Sequence, residues 1–158
     1  MTAERGDSRG GGTVVAIHIS PGHGRPKYRV PSAEAIANAG LRDDAHGRPG
    51  GKRQVLLMPV EVLEQLDLPP GSVKETFTTR GCDVMGLRPG DRVRVGQTLL
   101  EITGECEPCG HMDEIRSGLQ EELRGRRGML ARVLEGGPVQ EGDPIVLEST
   151  TAAPQARP

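Results

Sequence analysis

Two cysteines lie three residues apart in the segment 104–112, which reads GECEPCGHM. Cys106 and Cys109 are two of the three cysteines in the chain, and His111 follows two residues after the second. A thiol can act as a soft metal ligand, as a carrier of sulfur or as a nucleophile. We therefore expect the chemistry of this protein to be centred on this segment.

Residue types alone leave several interpretations of the paired thiols. A structural zinc site needs about four ligands, for which Cys106, Cys109, His111 and His46 are candidates, although a second Cys-x-x-Cys is missing. A thioredoxin-type redox pair expects a βαβ context, which the strand-rich pattern lacks, and two buried cysteines are the plainest alternative. Haem attachment is excluded because Gly110 follows the second cysteine where histidine is required. The favoured interpretation is one working thiol at Cys109, with Cys106 auxiliary.

The elements around the thiols follow from hydrophobic periodicity. Residues 93–95 and 98–103 read as two strands of a hairpin. Apolar residues recur at helical spacing from Met112 to Leu123, which predicts an amphipathic helix over 111–123. A helix that begins near His111 places Cys109 just before its N-terminus, where free amides and the helix dipole favour an anionic thiolate.

The rest of the chain is made of short apolar runs separated by glycine and proline. This pattern predicts a mainly β domain over residues 13–148, barrel-like, with one or two short helices. Polar tails at 1–12 and 149–158 are predicted to be disordered. The further predicted strands lie at 14–20, 54–58, 129–134 and 144–148, and a further helix lies at 59–66.

Composition excludes several classes of function. A formal net charge of −2 over 158 residues argues against a nucleic-acid binder dominated by phosphate contacts. No apolar run is long enough to span a membrane, and residues 1–12 lack the apolar stretch of a signal peptide. An odd number of cysteines fits a reducing cytoplasm better than secretion. We expect a cytoplasmic protein with neither nucleic-acid nor membrane partners.

Short motifs form one joint pattern along the chain. They are Gly-Leu-Arg-Asp-Asp-Ala-His-Gly at 40–47, Arg-Gln-Val at 53–55, Arg-Gly-Cys-Asp at 80–83, Leu-Arg-Pro-Gly-Asp-Arg at 87–92, Cys-Glu-Pro-Cys at 106–109, Arg-Arg-Gly-Met-Leu-Ala-Arg-Val at 126–133 and Glu-Gly-Asp-Pro at 141–144. Together they resemble the MOSC domain, the module at the C-terminus of molybdenum-cofactor sulfurases that also occurs as small stand-alone proteins. The resemblance covers about residues 13–148.

The resemblance implies a β-barrel-like fold with a pocket for the molybdenum cofactor (molybdopterin). The invariant cysteine of the family falls on Cys109, which is thereby implied as a molybdenum ligand or a persulfide carrier. Asp44 and His46 fall on the Asp-x-His of the family, with His46 as an acid/base or pocket residue. Arg53 falls on the family's arginine.

Further cofactor contacts follow from the resemblance and from charge. Glu75 falls on the Glu of a Glu-Asn pair, where this chain has Thr76 in place of asparagine. The cofactor carries a phosphate and molybdenum-bound oxo groups, which guanidinium groups stabilise. Arg126 and Arg127, together with Arg53, are candidate partners for these oxyanions.

Two functions are compatible with these expectations. In the first, the protein binds the cofactor through Cys109 and reduces N-hydroxylated compounds, as related small proteins do. Its electrons come from a partner protein, because the chain has no flavin, haem or iron–sulfur motif. In the second, it is a non-enzymatic carrier of cofactor or persulfide that receives sulfur from a cysteine desulfurase or sulfurase. No segment resembles a desulfurase domain, so the chain cannot generate the sulfur itself.

Overall fold

The computed structural model describes residues 11–22, 25–45 and 47–148. His46 and nearly all of both predicted tails lie outside these residues. The first strand begins at Gly11, two residues before the predicted start of the domain. The strands are β1 (Gly11–Ile19), β2 (Tyr28–Val30), β3 (Ser32–Ile36), β4 (Gly40–Leu41), β5 (Val55–Pro59), β6 (Phe77–Arg80), β7 (Arg92–Val95), β8 (Thr98–Glu105), β9 (Met129–Glu135), β10 (Gly137–Gln140) and β11 (Pro144–Glu148).

Seven strands close into a barrel in the order β1-β6-β5-β9-β8-β7-β11, and β11 pairs back with β1. All neighbours in the barrel are antiparallel except β5 and β6, which run parallel. β2 extends the sheet from β1, and β10, β3 and β4 form a separate three-stranded sheet. The mainly β, barrel-like fold that the sequence predicts is confirmed.

β5 packs against other residues on both of its faces, so the barrel wall can support a site on its outer side. Val55 and Leu57 point into the apolar interior of the barrel, whereas Leu56 and Met58 belong to separate clusters on the other face. A strand that is buried on both faces reads as a continuous apolar run rather than an alternating one. The run from Val55 to Met58 therefore supports both the barrel interior and the layer that covers it.

The covering layer consists of three short helices, α1 (Val60–Gln65), α2 (His111–Ile115) and α3 (Leu119–Glu122). Their apolar residues pack with Met58 and Val73 outside the barrel. The 59–66 helix is confirmed as α1, but the single helix predicted over 111–123 is wrong. Gly118 adopts a left-handed conformation (φ 88°), and Arg116 is extended, so the chain breaks between α2 and α3.

The predicted hairpin is also confirmed, since β7 and β8 pair in antiparallel register from Arg92–Glu101 to Val95–Thr98. Among the described residues, no helix has the length and apolar character that a bilayer crossing requires.

Candidate functional site

A cavity of about 530 Å³ lies against the outer side of the barrel wall, bordered by loops and by the start of α2. Leu56 of β5 and Leu130 of β9 supply apolar surface, and Cys106 packs with them in one cluster. We call this space the cationic cavity, because five of its lining residues are basic. Its lining residues are Arg48, Gly51, Lys52, Arg53, Leu56, Lys74, Cys106, Cys109, His111, Met112, Arg127 and Leu130.

The loop before β5 brings three of the basic side chains, Arg48, Lys52 and Arg53, to the cavity. The buried amide of Gln54 fixes this loop, since its Nε2 donates to the carbonyl oxygens of Gly51 (3.0 Å) and Arg48 (3.3 Å). The Gln54 Oε1 accepts the amide of Val133 in β9 (2.9 Å). One buried side chain thus ties the cation-bearing loop to the barrel wall.

The turn before β6 brings a fourth basic residue, Lys74. Lys74 has a left-handed backbone (φ 65°), an unusual state for a residue with a side chain. The neighbouring Glu75 is fully buried, and its Oε2 accepts the Gly71 amide (2.7 Å) and the Thr78 hydroxyl (2.6 Å). This carboxylate closes the turn and sets the backbone from which Lys74 reaches the cavity.

Arg127 is the fifth basic residue, and it is 7% exposed. Its Nη2 donates to the Val73 carbonyl (2.9 Å), its Nε to Met112 Sδ (3.3 Å) and its Nη1 to Cys106 Sγ. The next residue, Gly128, has φ 114°, and a Cβ there would collide with the Leu57 carbonyl. Through these three hydrogen bonds, the buried Arg127 connects the Lys74 turn, the start of α2 and the buried thiol.

The two thiols differ in exposure although both line the cavity. Cys106 is 1% exposed, and Cys109 is exposed. α2 begins at His111, two residues after Cys109, as the sequence predicts. His111 is exposed, with its Nδ1 3.4 Å from Glu114 Oε2.

The charge of the cavity is one-sided. No described lining residue is acidic, and no described carboxylate forms an ion pair with Arg48, Lys52, Arg53 or Lys74. Because like charges repel, such a set of cations destabilises the unliganded state and favours an anionic ligand. Chemically, the arrangement can bind an oxyanion near a thiol.

The remaining predicted site residues lie elsewhere. The hydroxyl of Thr76 is buried and accepts the Leu56 amide (3.0 Å). Arg126 donates to the Glu122 carbonyl (2.9 Å) and to Gln65 Oε1 (3.0 Å), so it joins α3 to α1 rather than lining the cavity. His46 lies outside the described residues.

Asp44 and Glu75 belong to a buried polar corner near the cavity. Asp44 Oδ1 accepts the Ser20 amide (2.8 Å). Burial lowers the pKa of Lys27, and the carboxylates of Asp44 and Glu75 partly oppose this shift. Burial likewise lowers the pKa of His18, against the opposing charge of Glu75. Glu75 Oε1 and His18 Nδ1 have no hydrogen-bond partner among the described residues.

The alternatives for the paired thiols can now be compared with the structure. In the described part of the chain, no three histidine, cysteine or acidic side chains are placed to hold a metal ion. Cys106, Cys109 and His111 therefore do not form a preassembled zinc site, and His46 is not described. The flanking strands β8 and β9 are antiparallel neighbours, so the thiols do not lie in a βαβ crossover.

Sequence reasoning overlooked four residues of the site. Arg48, Lys52 and Lys74 lie in loops without a recognised motif, and Gln54 reads as part of an apolar strand. Gln54 could have been identified because it is a polar residue at the start of the buried run 54–58. A buried amide needs hydrogen-bond partners, which indicates a structural role.

Comparison with known proteins gives one family and several solved structures. The model of the MOSC domain matches residues 42–146. The YUAD protein from Bacillus subtilis is similar over 88% of this chain and 96% of its own, at 18% identity and a TM-score of 0.73. YiiM from Geobacillus stearothermophilus is 19% identical over 86% of this chain and 74% of its own, with a TM-score of 0.69. YiiM from Escherichia coli is 22% identical over 87% and 68%, with a TM-score of 0.64. No curated protein matches the chain.

Proposed function

Because this chain belongs to the MOSC domain family, we propose that it binds the molybdenum cofactor in the cationic cavity with Cys109 as a thiol ligand of molybdenum. The family is generally associated with this cofactor. The observation that carries the proposal is the lining itself, in which two thiols and five basic side chains meet and none of the described side chains is acidic.

The lining fits the chemistry of the cofactor. Its phosphate and the oxo groups on molybdenum are anionic, and Arg53, Arg48 and Lys74 offer charge-assisted donors to them. A soft metal favours thiolate, and Cys109 is the exposed thiol of the cavity. The apolar side chains of Leu56 and Leu130 offer a surface for the body of the pterin.

Arg127 has a different role from the other cations. Each of its three guanidinium nitrogens already donates within the protein. We assign it to positioning Cys106, α2 and the Lys74 turn, whereas the oxyanion partners are the cations of the two loops.

The activity that we propose is reduction of N-hydroxylated compounds. When bound, the cofactor supplies the redox centre for a reaction that consumes an electron pair and two protons and releases water. The residues of this chain hold the cofactor and stabilise its negative charge. A separate protein delivers the electrons, since the sequence has no motif for a second redox cofactor. All three cysteines are free thiols, in keeping with the reducing cytoplasm in which we place the protein.

Elemental analysis tests this proposal. Wild type, Cys109→Ser and the matched control Cys106→Ser are purified from a host that makes molybdenum cofactor. We expect near-stoichiometric molybdenum in wild type, loss in Cys109→Ser and substantial retention in Cys106→Ser. Equal molybdenum in wild type and Cys109→Ser would refute the ligand assignment, and zinc in place of molybdenum would refute the cofactor.

The exposure of Cys109 favours a second candidate function, that of a persulfide carrier. A carrier must present its thiol to a desulfurase and then to an acceptor, and an exposed thiol at a cavity edge allows both. After incubation with a desulfurase and cysteine, intact mass would then show an adduct of about one sulfur atom that a reductant removes. Absence of the adduct would exclude the carrier function.

A further inference from the structure

We propose that Cys106 and Cys109 form a reversible disulfide when a peroxide oxidises the cavity, which makes the segment 106–109 an oxidative modification site. This inference goes beyond the proposed function. It concerns the protein with both thiols free, the state in which Cys109 is not bound to molybdenum.

The first observation is the unequal exposure of two thiols in one cavity. Cys109 is exposed and therefore open to a soluble oxidant, whereas Cys106 is 1% exposed. An accessible cysteine next to a second thiol is typical of reversible oxidation, because the second thiol resolves the first oxidation product. The geometry thus assigns Cys109 as the oxidised thiol and Cys106 as the resolving thiol.

The second observation is the short, irregular connection between the two thiols. The Cys106 amide donates to the Gly128 carbonyl (2.9 Å), and the Cys109 carbonyl accepts the Met112 amide (3.0 Å), so both ends are anchored. The residues between them, Glu107 and Pro108, lie in neither a helix nor a strand. A separation of three residues spans at most about 10 Å when extended, and a disulfide needs Cα atoms within about 7 Å. The four-residue segment is therefore short enough for a disulfide, which requires the chain to bend at Glu107 and Pro108.

The third observation is the contact of Arg127 with Cys106. The buried guanidinium donates to Cys106 Sγ while it is held by the Val73 carbonyl and Met112 Sδ. It fixes the resolving sulfur at the cavity wall and places positive charge beside it. This charge stabilises the negative charge that develops on an attacking sulfur.

The chemistry balances with a peroxide as oxidant. Cys109 Sγ attacks the peroxide, the O–O bond breaks, and water or an alcohol leaves, so that Cys109 becomes a sulfenic acid. Cys106 Sγ then attacks Cys109 Sγ, the S–O bond breaks, and water leaves as the disulfide forms. The two thiols together supply the electron pair that reduces the peroxide, and a dithiol reductant reverses the change.

The third cysteine provides an internal reference. Cys82 packs beside the barrel interior, and burial raises the pKa of its thiol. It lies outside the cationic cavity. We expect it to remain an alkylatable thiol under conditions that oxidise the pair.

The test uses the full chain, reduced and then treated with hydrogen peroxide, alkylated and mapped by mass spectrometry. We expect an intramolecular Cys106–Cys109 bond, alkylation confined to Cys82, and reversal by dithiothreitol. In Cys106→Ser, Cys109 should instead accumulate as sulfenic acid, with at least several-fold more labelling by dimedone. Intermolecular dimers, or over-oxidation of Cys109 at the same rate in both proteins, would overturn the proposal.

A second pair of variants tests the part played by Arg127. Arg127→Gln should slow disulfide closure after Cys109 is oxidised, and Arg127→Lys should recover part of the rate because it restores the charge. Equal closure rates in folded Arg127→Gln and wild type would remove Arg127 from the account. If Arg127→Gln does not fold, Arg127→Lys is compared with wild type; closure that is slower than in wild type supports the role of the guanidinium contact, and an equal rate removes it from the account. Because molybdenum is not measured, failure here is distinguishable from failure of the proposed function.

Discussion

The arginines on the outer surface and the cations of the cavity differ in whether a carboxylate pairs with them. On the surface of the described part of the chain, seven arginines form salt bridges with glutamate side chains at N–O distances of 2.7 to 3.1 Å. In the cavity, no described carboxylate pairs with Arg48, Lys52, Arg53 or Lys74. The surface pairs are Arg29–Glu141, Arg42–Glu34, Arg80–Glu64, Arg94–Glu135, Arg116–Glu122, Arg124–Glu121 and Arg132–Glu101.

The difference shows where charge is available for a ligand. An exposed arginine that already contacts a carboxylate adds little binding free energy for a further anion, because ion pairs in contact with solvent are weak. Cations that converge without a counter-charge retain their full attraction for an anion. A chain with a formal net charge of −2 can therefore hold an anion-binding site, because the distribution of charge matters more than its sum.

The largest expected effect is on cofactor retention and tests the difference between cavity cations and surface arginines directly. Removing one cavity charge, as in Arg53→Gln or Lys74→Gln, should weaken cofactor retention by about 10- to 100-fold, because a hydrogen bond to a charged group contributes about 1.5–3 kcal/mol. Arg124→Gln, which removes a paired surface charge, should leave retention unchanged. The measurement is molybdenum content after dialysis at a fixed salt concentration, and equal losses in all three variants would contradict the distinction.

A smaller effect tests whether the cavity depends on the buried polar corner. Glu75→Ala leaves the Gly71 amide and the Thr78 hydroxyl without their acceptor, so we expect a loss of about 1–3 kcal/mol in the free energy of unfolding. Urea unfolding measures this loss, and Glu114→Ala serves as the exposed control. No difference between the two variants would show that Glu75 does not hold the turn.

The smallest effect concerns pH. Burial lowers the pKa of His18 below its ordinary value of 6.5 in the folded protein, so the unfolded chain binds a proton at a higher pH. Above pH 6.5 His18 is neutral in both states and the free energy of unfolding has its full value. As the pH falls from there through the lowered pKa, the unfolded chain gains a proton first and the free energy of unfolding decreases. In His18→Gln, the free energy of unfolding should therefore depend less on pH across this window. An unchanged pH dependence would contradict the effect of burial, and His111→Gln provides the exposed control.

The sequence predicts the strands that contain apolar runs better than the short or hydroxyl-rich strands. β5 carries the apolar run Val-Leu-Leu-Met, and β8 and β9 carry shorter apolar runs, which predict strands. β4 has two residues, and β6 reads Phe-Thr-Thr-Arg. Thr78 and Thr79 are nevertheless fully buried. A short or hydroxyl-rich strand depends on tertiary pairing that periodicity does not report.

The site divides in a similar way. Cys109, Arg53 and Arg127 lie in motifs and line the cavity as a group. Arg126 lies in the same motif as Arg127, but in the turn after α3 its side chain bonds Glu122 and Gln65 and so joins two helices. Lys74 could not be predicted, since its place depends on a left-handed turn and on the burial of the residue that follows it.

The central claim is that Cys109 is a ligand of molybdenum in the cationic cavity. X-ray absorption at the molybdenum edge of the purified, cofactor-loaded protein tests it most directly, because the fine structure counts the sulfur atoms around the metal. We predict one protein-derived sulfur in addition to those that the cofactor itself supplies. A sulfur count fully accounted for by the cofactor would contradict the assignment of Cys109.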